Sequence, residues 1–382
     1  MIFRILEDQL AQKSRDQKAA DRRFMELALT LGRRGLGRTW PNPAVGAVVV
    51  KDGIILGRGW TQPGGRPHAE PVALQQAGAE ARGATLYVTL EPCSHFGRSP
   101  PCADAVIAAG IARVVSAIED PNPEVAGQGH ARLRAAGIAV DVGLCAEEAA
   151  RAHAGHIRRI RDKRPHVILK LAVSADDKIA AAGHKPVAIT GEVTRTRVHL
   201  LRAQCDAVLV GIGTVLADDP LLTCRLPGMA ARSPVRVVLD RALRIPGNSK
   251  LVHSARETPV WLATSELAEA PAATKLGAAG AQVIRIAPTA TPGLDLTAVL
   301  QALCSRDISR LLVEGGSRVA ASFVAAGLVD EIWLIRGPDP IGADGIAALD
   351  AMPLAAITQS PAFRVRASEA LEKDVLTIYE RA

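Results

Sequence analysis

The chain has 382 residues, 48% of them hydrophobic, and a formal net charge of +7. That length exceeds one ordinary core and points to two domains; no uninterrupted apolar stretch is long enough to cross a bilayer, which argues for a soluble, cytoplasmic protein and against a membrane one. Six scattered cysteines form no dense disulfide framework; the basic excess suits nucleic acid or anionic small molecules equally, and an aromatic content of 3% weakens a stacking platform for single strands.

Residues 1–21 mix charged and apolar positions without the apolar segment and cleavage site of a secretory signal, and read as a charged extension with no legible role. A helical pattern over 22–31 follows, then strands at 45–50 and 54–59, a helix after His68, strand 85–90, helix 103–109, strand 113–118, helix 129–135 and strand 138–142. Such alternation predicts a sheet flanked by helices over 22–146. Residues 147–165 read as a helical connector ending in a basic run from Arg158 to Arg164, for which a solvated face is the commoner explanation and a nucleic-acid contact the alternative, with Pro165 as the breaker. The second domain, 166–382, carries strand patterns at 167–173, 207–210, 235–239, 260–263, 283–286, 311–313 and 332–335, and helical ones at 193–203, 296–304 and 319–326. It is again α/β, and the halves share no repeated motif.

His68-Ala69-Glu70, followed by Pro92-Cys93 and then Cys102, assembles one imidazole, two thiols and a carboxylate. Three such ligands hold Zn²⁺ and leave a fourth position for a water acidified to a pKa of roughly 7, with Glu70 moving the protons. Pro67 and Pro71 bracket the motif and place His68 and Glu70 at a helix mouth, where residues two apart can both reach a cleft. Cys93 lies beyond the carboxyl end of a buried strand, a common place for a site. Taken singly, each residue is better explained as an ordinary buried thiol or a surface histidine; the ordered set is what points to a zinc deaminase. The general deaminase pattern closes with Pro-Cys-x-x-Cys, whereas here residues 94–101 separate the two cysteines.

Pro41-Asn42-Pro43-Ala44-Val45-Gly46, His68-Ala69-Glu70 and the stretch from Glu91-Pro92-Cys93-Ser94-His95-Phe96-Gly97-Arg98 to Cys102 resemble the riboflavin-biosynthesis deaminase family. The resemblance implies a cytidine-deaminase-like three-layer domain whose long inter-cysteine loop selects a phosphorylated ribosylaminopyrimidine. It further implies that Asn42, His95 and Arg98 contact substrate; a guanidinium suits phosphate oxygens, and a solvated loop charge is the alternative for Arg98.

In the second half, Gly211-Ile212-Gly213-Thr214-Val215-Leu216 lacks the third glycine of a dinucleotide fingerprint. Val313-Glu314-Gly315-Gly316-Ser317 places two glycines between a strand and a helix, which suits either anion binding at a helix start or a tight serine-capped turn. Together with Leu201-Arg202-Ala203 and the run from Gly211 through Asp218-Asp219-Pro220 to Thr223, these segments resemble the riboflavin-pathway reductase, a dihydrofolate-reductase-like fold. That likeness implies an NADPH site with Val173, Thr214, Asp218 and the helix start Gly316, Ser317, Arg318, Val319, Ala320, Ala321 and Ser322. It implies a substrate held by Arg202, Leu222, Arg225 and Glu314, with both arginines on the phosphate, hydride delivery to C1 of the opened ribose, and Asp218 as proton carrier or, equally, a loop cap. The chain departs from the family where Ser174-Ala175-Asp176-Asp177-Lys178 has Asp177 for a glycine and Ala188 for a tryptophan, removing backbone freedom and a contact surface for the cofactor. The expected function is zinc-dependent deamination followed by NADPH-dependent reduction, acting on a small phosphorylated pyrimidine and not on nucleic acid or membrane, with homo-oligomerisation open. The alternatives are a deaminase with a catalytically lost C-terminal module and a nucleic-acid base deaminase.

Overall fold

The computed structural model describes residues 2–97, 99–123, 125–184, 187–288 and 293–382. The chain forms two compact units, Met1–Asp162 and Lys163–Ala382.

The first unit runs α1 (Ile2–Gly32), β1 (Gly46–Lys51), β2 (Ile54–Trp60), α2 (Ala69–Ala77), β3 (Thr85–Val88), α3 (Cys102–Ala108), β4 (Arg113–Ser116), α4 (Gln128–Ala135), β5 (Ala139–Val142), α5 (Ala146–Ala152) and α6 (Ala154–Arg161). The sheet order is β2-β1-β3-β4-β5, with β3, β4 and β5 parallel and β1 antiparallel to both its neighbours. Because side chains alternate across a strand, β1 sends Ala47 and Val49 to a core with Ala69, Ala73, Val106 and Leu133, and Val48 and Val50 to one with Phe24, Met25 and Ala28. The result is a helix–sheet–helix sandwich. Three glycines set its thickness: a Cβ on Gly46 would overlap the Ala28 carbonyl, one on Gly57 that of Ala73, and one on Gly59 that of Ala69. Helices α1 and α2 therefore rest directly on strand backbone.

Two features differ from the sequence expectation. Helix α1 starts at Ile2 and runs unbroken through the segment expected as an extension, whose last turn is structural. The buried Asp21 accepts 2.6 Å from the Tyr87 hydroxyl and 3.0 and 2.8 Å from the Arg113 fork, tying α1 to β3 and β4. Burial works to raise the Asp21 pKa, and the Arg113 and Tyr87 hydrogen bonds more than offset it. The expected connector also folds onto the first unit, as α5 and α6, and the division falls at 162/163.

The second unit comprises β6 (His166–Val173), β7 (Lys178–Ala180), α7 (Glu192–Ala203), β8 (Ala207–Gly211), α8 (Ile212–Asp218), β9 (Val235–Leu239), α9 (Lys250–His253), β10 (Val260–Ser265), α10 (Ala270–Ala278) and β11 (Gln282–Ile286). It continues with α11 (Leu296–Cys304), β12 (Arg310–Val313), α12 (Ser317–Ala325), β13 (Glu331–Arg336), β14 (Ile346–Ala347), α13 (Ala355–Thr358), β15 (Phe363–Leu371) and β16 (Asp374–Arg381). The nine-stranded sheet has order β11-β10-β9-β8-β12-β6-β13-β16-β15, and β7 pairs with β14 apart from it. The seven strands from β11 to β13 are parallel, and the C-terminal hairpin β15–β16 adds antiparallel strands at one edge. Fully buried parallel strands read as continuous Val/Ile/Leu runs, as β8 does; the half-exposed hairpin has no such run. The carboxyl ends of β6, β8 and β12 open side by side, the usual position for a ligand crevice.

Removing the Asp21 carboxylate leaves the Arg113 fork without its buried partner. Asp21→Ala is expected to lower the stability of the N-terminal unit by roughly 3 kcal/mol, measured by calorimetry. A second expectation concerns acid. His153 is 2% exposed, its Nε2 is 3.0 Å from the Thr89 hydroxyl, and burial pushes its pKa from 6.5 down to about 3. The folded state thus favours the neutral ring, so this contribution is complete above pH 6.5 and is lost as pH falls toward 3, by up to about 1.4 kcal/mol per unit. His153→Gln should flatten the melting-temperature profile of this unit between pH 6.5 and 4; an unchanged slope would refute the assignment.

Candidate metal centre and nucleotide cleft

His68 is the residue before α2, with extended backbone (φ −67°, ψ 170°), so its ring leaves the helix axis while Glu70 occupies the first turn. Cys93 lies in the loop beyond β3 and Cys102 opens α3. The chain brings the three together: His68 Nδ1 is 3.4 Å from Cys102 Sγ and 3.8 Å from Cys93 Sγ, and all three ligand atoms lie within 4.8 Å of one another. Among the described residues this is the one cluster of three or more such groups with that spacing. The hydrogen bond with Cys102, opposed by burial and joined by one with His68, holds the Cys93 thiol down to about 4, and the Cys102 backbone N–H donates to its sulfur at 3.3 Å. Cys102, sharing the site with that thiolate, is pushed up. Two thiols and an imidazole turned toward one another, with His68 Nε2 buried and unpartnered, fit a zinc ion, which takes both sulfurs as thiolates.

Glu70 is 3% exposed and stands outside the ligand cluster; burial, opposed by His68, pushes its pKa up to about 7. That value suits a group that both takes and gives protons near neutrality.

Sequence reasoning missed Glu91. Its buried carboxylate accepts four backbone N–H bonds: Asp120 at 3.1 Å and Gly127 at 2.9 Å on one oxygen, Gly129 at 2.8 Å and His130 at 3.3 Å on the other. The signal was there, an acidic residue within a Glu-Pro-Cys turn with no need for solvent. Of the residues expected on substrate, Asn42 donates to the Gly65 carbonyl at 2.8 Å and so joins its own loop to the segment leading to His68. His95 is exposed in the inter-cysteine loop. Arg98 lies outside the described residues.

In the second unit Arg202 gives its fork to Glu314, with Nε at 2.6 Å and Nη2 at 2.9 Å, and Nη1 reaches the Thr223 carbonyl at 3.2 Å. This guanidinium, expected on phosphate, is thus committed to orienting a carboxylate. Burial alone would raise the pKa of Glu314, and Arg202 holds it below its ordinary value. Lys170 on β6 is a second residue missed from sequence; burial lowers its pKa, with Glu314 opposing. A lysine inside the apolar strand His166–Val173 was the available sign. Leu222 is buried at φ +55°, and Arg225 is exposed.

Val173 ends β6 fully buried, Thr214 is half-buried in α8, and Asp218 is exposed at that helix's end. Gly316 precedes α12 in extended conformation, with no side chain capping the helix. Added Cβ atoms would meet nothing within 4 Å at Gly213 and only Thr214 Oγ1, at 3.6 Å, at Gly316. These two glycines leave backbone bare beside a helix start, a cradle that fits the phosphates of a dinucleotide. Val319 lies so close to Gly211 and Gly315 that a Cβ on either would strike it, which seats α12 on the sheet; Ala320 and Ala321 are buried behind it. Arg318 and Ser322 instead line a cavity of about 360 Å³ with Asp350 and Met352. At the departure from the family pattern, Asp177 adopts φ +63°, the left-handed region that a glycine would take freely. Its carboxylate accepts from Arg336 Nη1 at 2.5 Å, and the same nitrogen lies 3.2 Å from the Ser174 and Ala175 carbonyls. Ala188 is exposed.

Two family models match the chain: the cytidine and deoxycytidylate deaminase zinc-binding region over residues 18–118 and the RibD C-terminal domain over 165–377. The riboflavin biosynthesis protein RibD of Aquifex aeolicus is 42% identical over 94% of this chain and 98% of its own length, and that of Escherichia coli 40% identical over 93% and 98%. Acinetobacter baumannii RibD superposes with a TM-score of 0.84 at 36% identity, covering 96% of this chain and 99% of that one. The Thermotoga maritima diaminohydroxyphosphoribosylaminopyrimidine deaminase/5-amino-6-(5-phosphoribosylamino)uracil reductase gives 0.83 at 37% identity, covering 96% and 100%. Matched in both halves and over nearly its whole length, the chain belongs to the RibD family.

Proposed function

We propose that this is a bifunctional enzyme of riboflavin biosynthesis. Its first half hydrolytically deaminates 2,5-diamino-6-(5-phosphoribosylamino)pyrimidin-4-one, and its second reduces the ribosyl side chain of the product to ribityl with NADPH. The observation that carries the reading is the His68–Cys93–Cys102 cluster with the buried Glu70 beside it. The protein acts on a small phosphorylated pyrimidine and not on nucleic acid. It works in the cytoplasm, where thiols stay reduced for metal binding.

In the first half His68, Cys93 and Cys102 would hold Zn²⁺, which when bound would supply an acidified water for attack on the amino-bearing ring carbon. Glu70 would hold and move the protons at its carboxylate, taking one as the attack begins and returning one to the amino group that leaves as ammonia; its pKa, pushed up to about 7, makes both transfers accessible. Asn42 and His95 would border the substrate, and the family resemblance assigns Arg98 to its phosphate. In the second half Val173, Thr214 and the stretch from Gly316 to Ser322 would hold NADPH, whose chemistry when bound would be hydride delivery to C1 of the opened ribose. Glu314, oriented by Arg202 and facing Lys170, would hold the substrate. Leu222 and Arg225 complete that pocket, and Asp218 carries the proton that accompanies the hydride.

Glu70→Gln is expected to retain one zinc per chain by metal analysis while ammonia release falls by about 10²–10⁴-fold; loss of the metal from this variant would make Glu70 a ligand instead. For the second half, Glu314→Gln should cut NADPH oxidation at least tenfold while ammonia release is unchanged, both followed in one coupled assay on the full chain. A wild-type protein that releases ammonia but leaves NADPH untouched would reduce the proposal to the deaminase alone.

A further inference from the structure

Helix α7 carries Arg195, His199 and Arg202 at spacings of four and three residues, which places them along one face. Arg195 donates to the Thr190 carbonyl at 3.0 Å, and Arg202 is bound to Glu314 and Thr223. His199 stands between them, half-buried, against the 223–225 segment. Its Nδ1 accepts the backbone N–H of Arg225 at 3.3 Å. A ring nitrogen that accepts bears no hydrogen, so this contact selects the tautomer in which Nε2 is the donor. The groups facing the ring are the guanidinia of Arg202 and Arg225, the Thr223 carbonyl and, further off, Glu314. Burial first and the two guanidinia second hold its pKa below the ordinary value, so at neutral pH the ring is an uncharged donor.

The charges around it do not balance. Lys170 and Arg202 share one carboxylate, Glu314, which already takes the whole Arg202 fork, and Arg225 adds a further cation beside His199. Among the described residues, Arg225 has no carboxylate within salt-bridge distance, and Lys170 has only the longer-range field of Glu314. Such a pocket is electrostatically incomplete without an anion.

We propose that His199 is a specificity-determining residue of the second half, donating its Nε2–H to the phosphate of the ribosyl substrate beside Arg225. The inference rests on the reductase reading above for the identity of the substrate. It assigns to an uncharged imidazole, locked by a backbone N–H, part of the recognition that Arg202, committed to Glu314, does not give. An uncharged donor also adds no further cation to a site that already holds three.

The test separates this role from a structural one. His199→Leu should raise the KM for the phosphorylated deamination product about tenfold, with kcat and the KM for NADPH unchanged, and should leave the KM for the dephosphorylated analogue as it is in the wild type. His199→Gln, whose amide can accept from Arg225 and donate with its NH₂, should recover most of the affinity. An equal penalty on both substrates, or none on either, overturns the proposal. In the wild-type full chain, ¹⁵N-edited spectra of the histidine side chains should show the Nε2 resonance of His199 shift with ribose 5-phosphate and not with ribose. No shift with ribose 5-phosphate overturns the proposal even if the leucine variant fails to fold. If wild-type protein leaves NADPH unoxidised while that resonance shifts, the reductase reading fails and the anion site stands.

Discussion

Glu91 is the interaction on which the deaminase half depends. A carboxylate removed from water must be satisfied by fixed donors, and the four N–H groups it finds all belong to the 120–130 turn, across from the loop that carries Cys93. Where Glu91 goes, Pro92 and Cys93 follow, and Gly129 approaches the Pro92 carbonyl so closely that no side chain fits between. The metal ligands are thus placed from behind, by backbone donors, before any ion arrives. Their own chemistry is left for the ion: the thiol–thiolate pair and His68 have little else to bind. In the neighbouring Glu70 burial outweighs the hydrogen bonds from its own backbone N–H and from Cys102, and its pKa is raised.

The second half obeys the same constraint with a different solution. Glu314 is buried at the mouth of a parallel sheet, where few backbone donors are free, and it is satisfied by a side-chain fork from Arg202. That choice binds an arginine which would otherwise serve the ligand, and it leaves Lys170 and Arg225 to set the sign of the pocket. The pairing of Asp177 with Arg336 is a local counterpart: a residue in a conformation natural to glycine is held there by a cation from the end of the adjoining strand β13.

Much of this was legible in the sequence because it is written in local pattern. The parallel strands announce themselves as unbroken apolar runs, and the His-x-Glu and Glu-Pro-Cys segments are short enough to be read directly from the chain. What was not legible depends on partners distant in the chain. Residues 363–381 form a hairpin on the sheet edge, exposed on one side and mixed in composition, so no periodicity marks them. Asp21 looked like one more charge in a charged segment; only Tyr87 and Arg113, 66 and 92 residues away, reveal it as buried and paired. Arg202 was recognisable as important, but whether its fork meets a phosphate or Glu314 is decided by a contact 112 residues distant. Lys170 and Glu91 were overlooked for the opposite reason, that a single charge in an apolar setting was passed over.

The glycines under α1 and α2 have a consequence for how this half tolerates change. Gly57 and Gly59 lie on β2, outside the ligand set, and carry no chemistry, yet α2 touches their backbone and begins one residue after His68. Any side chain there would lift the helix and, with it, His68 and Glu70 together, while the cysteines, fixed from the other side through Glu91, stay where they are. The positions least open to substitution therefore include two that no inventory of catalytic groups would contain, and the spacing of the donor set is inherited from the thickness of a sheet.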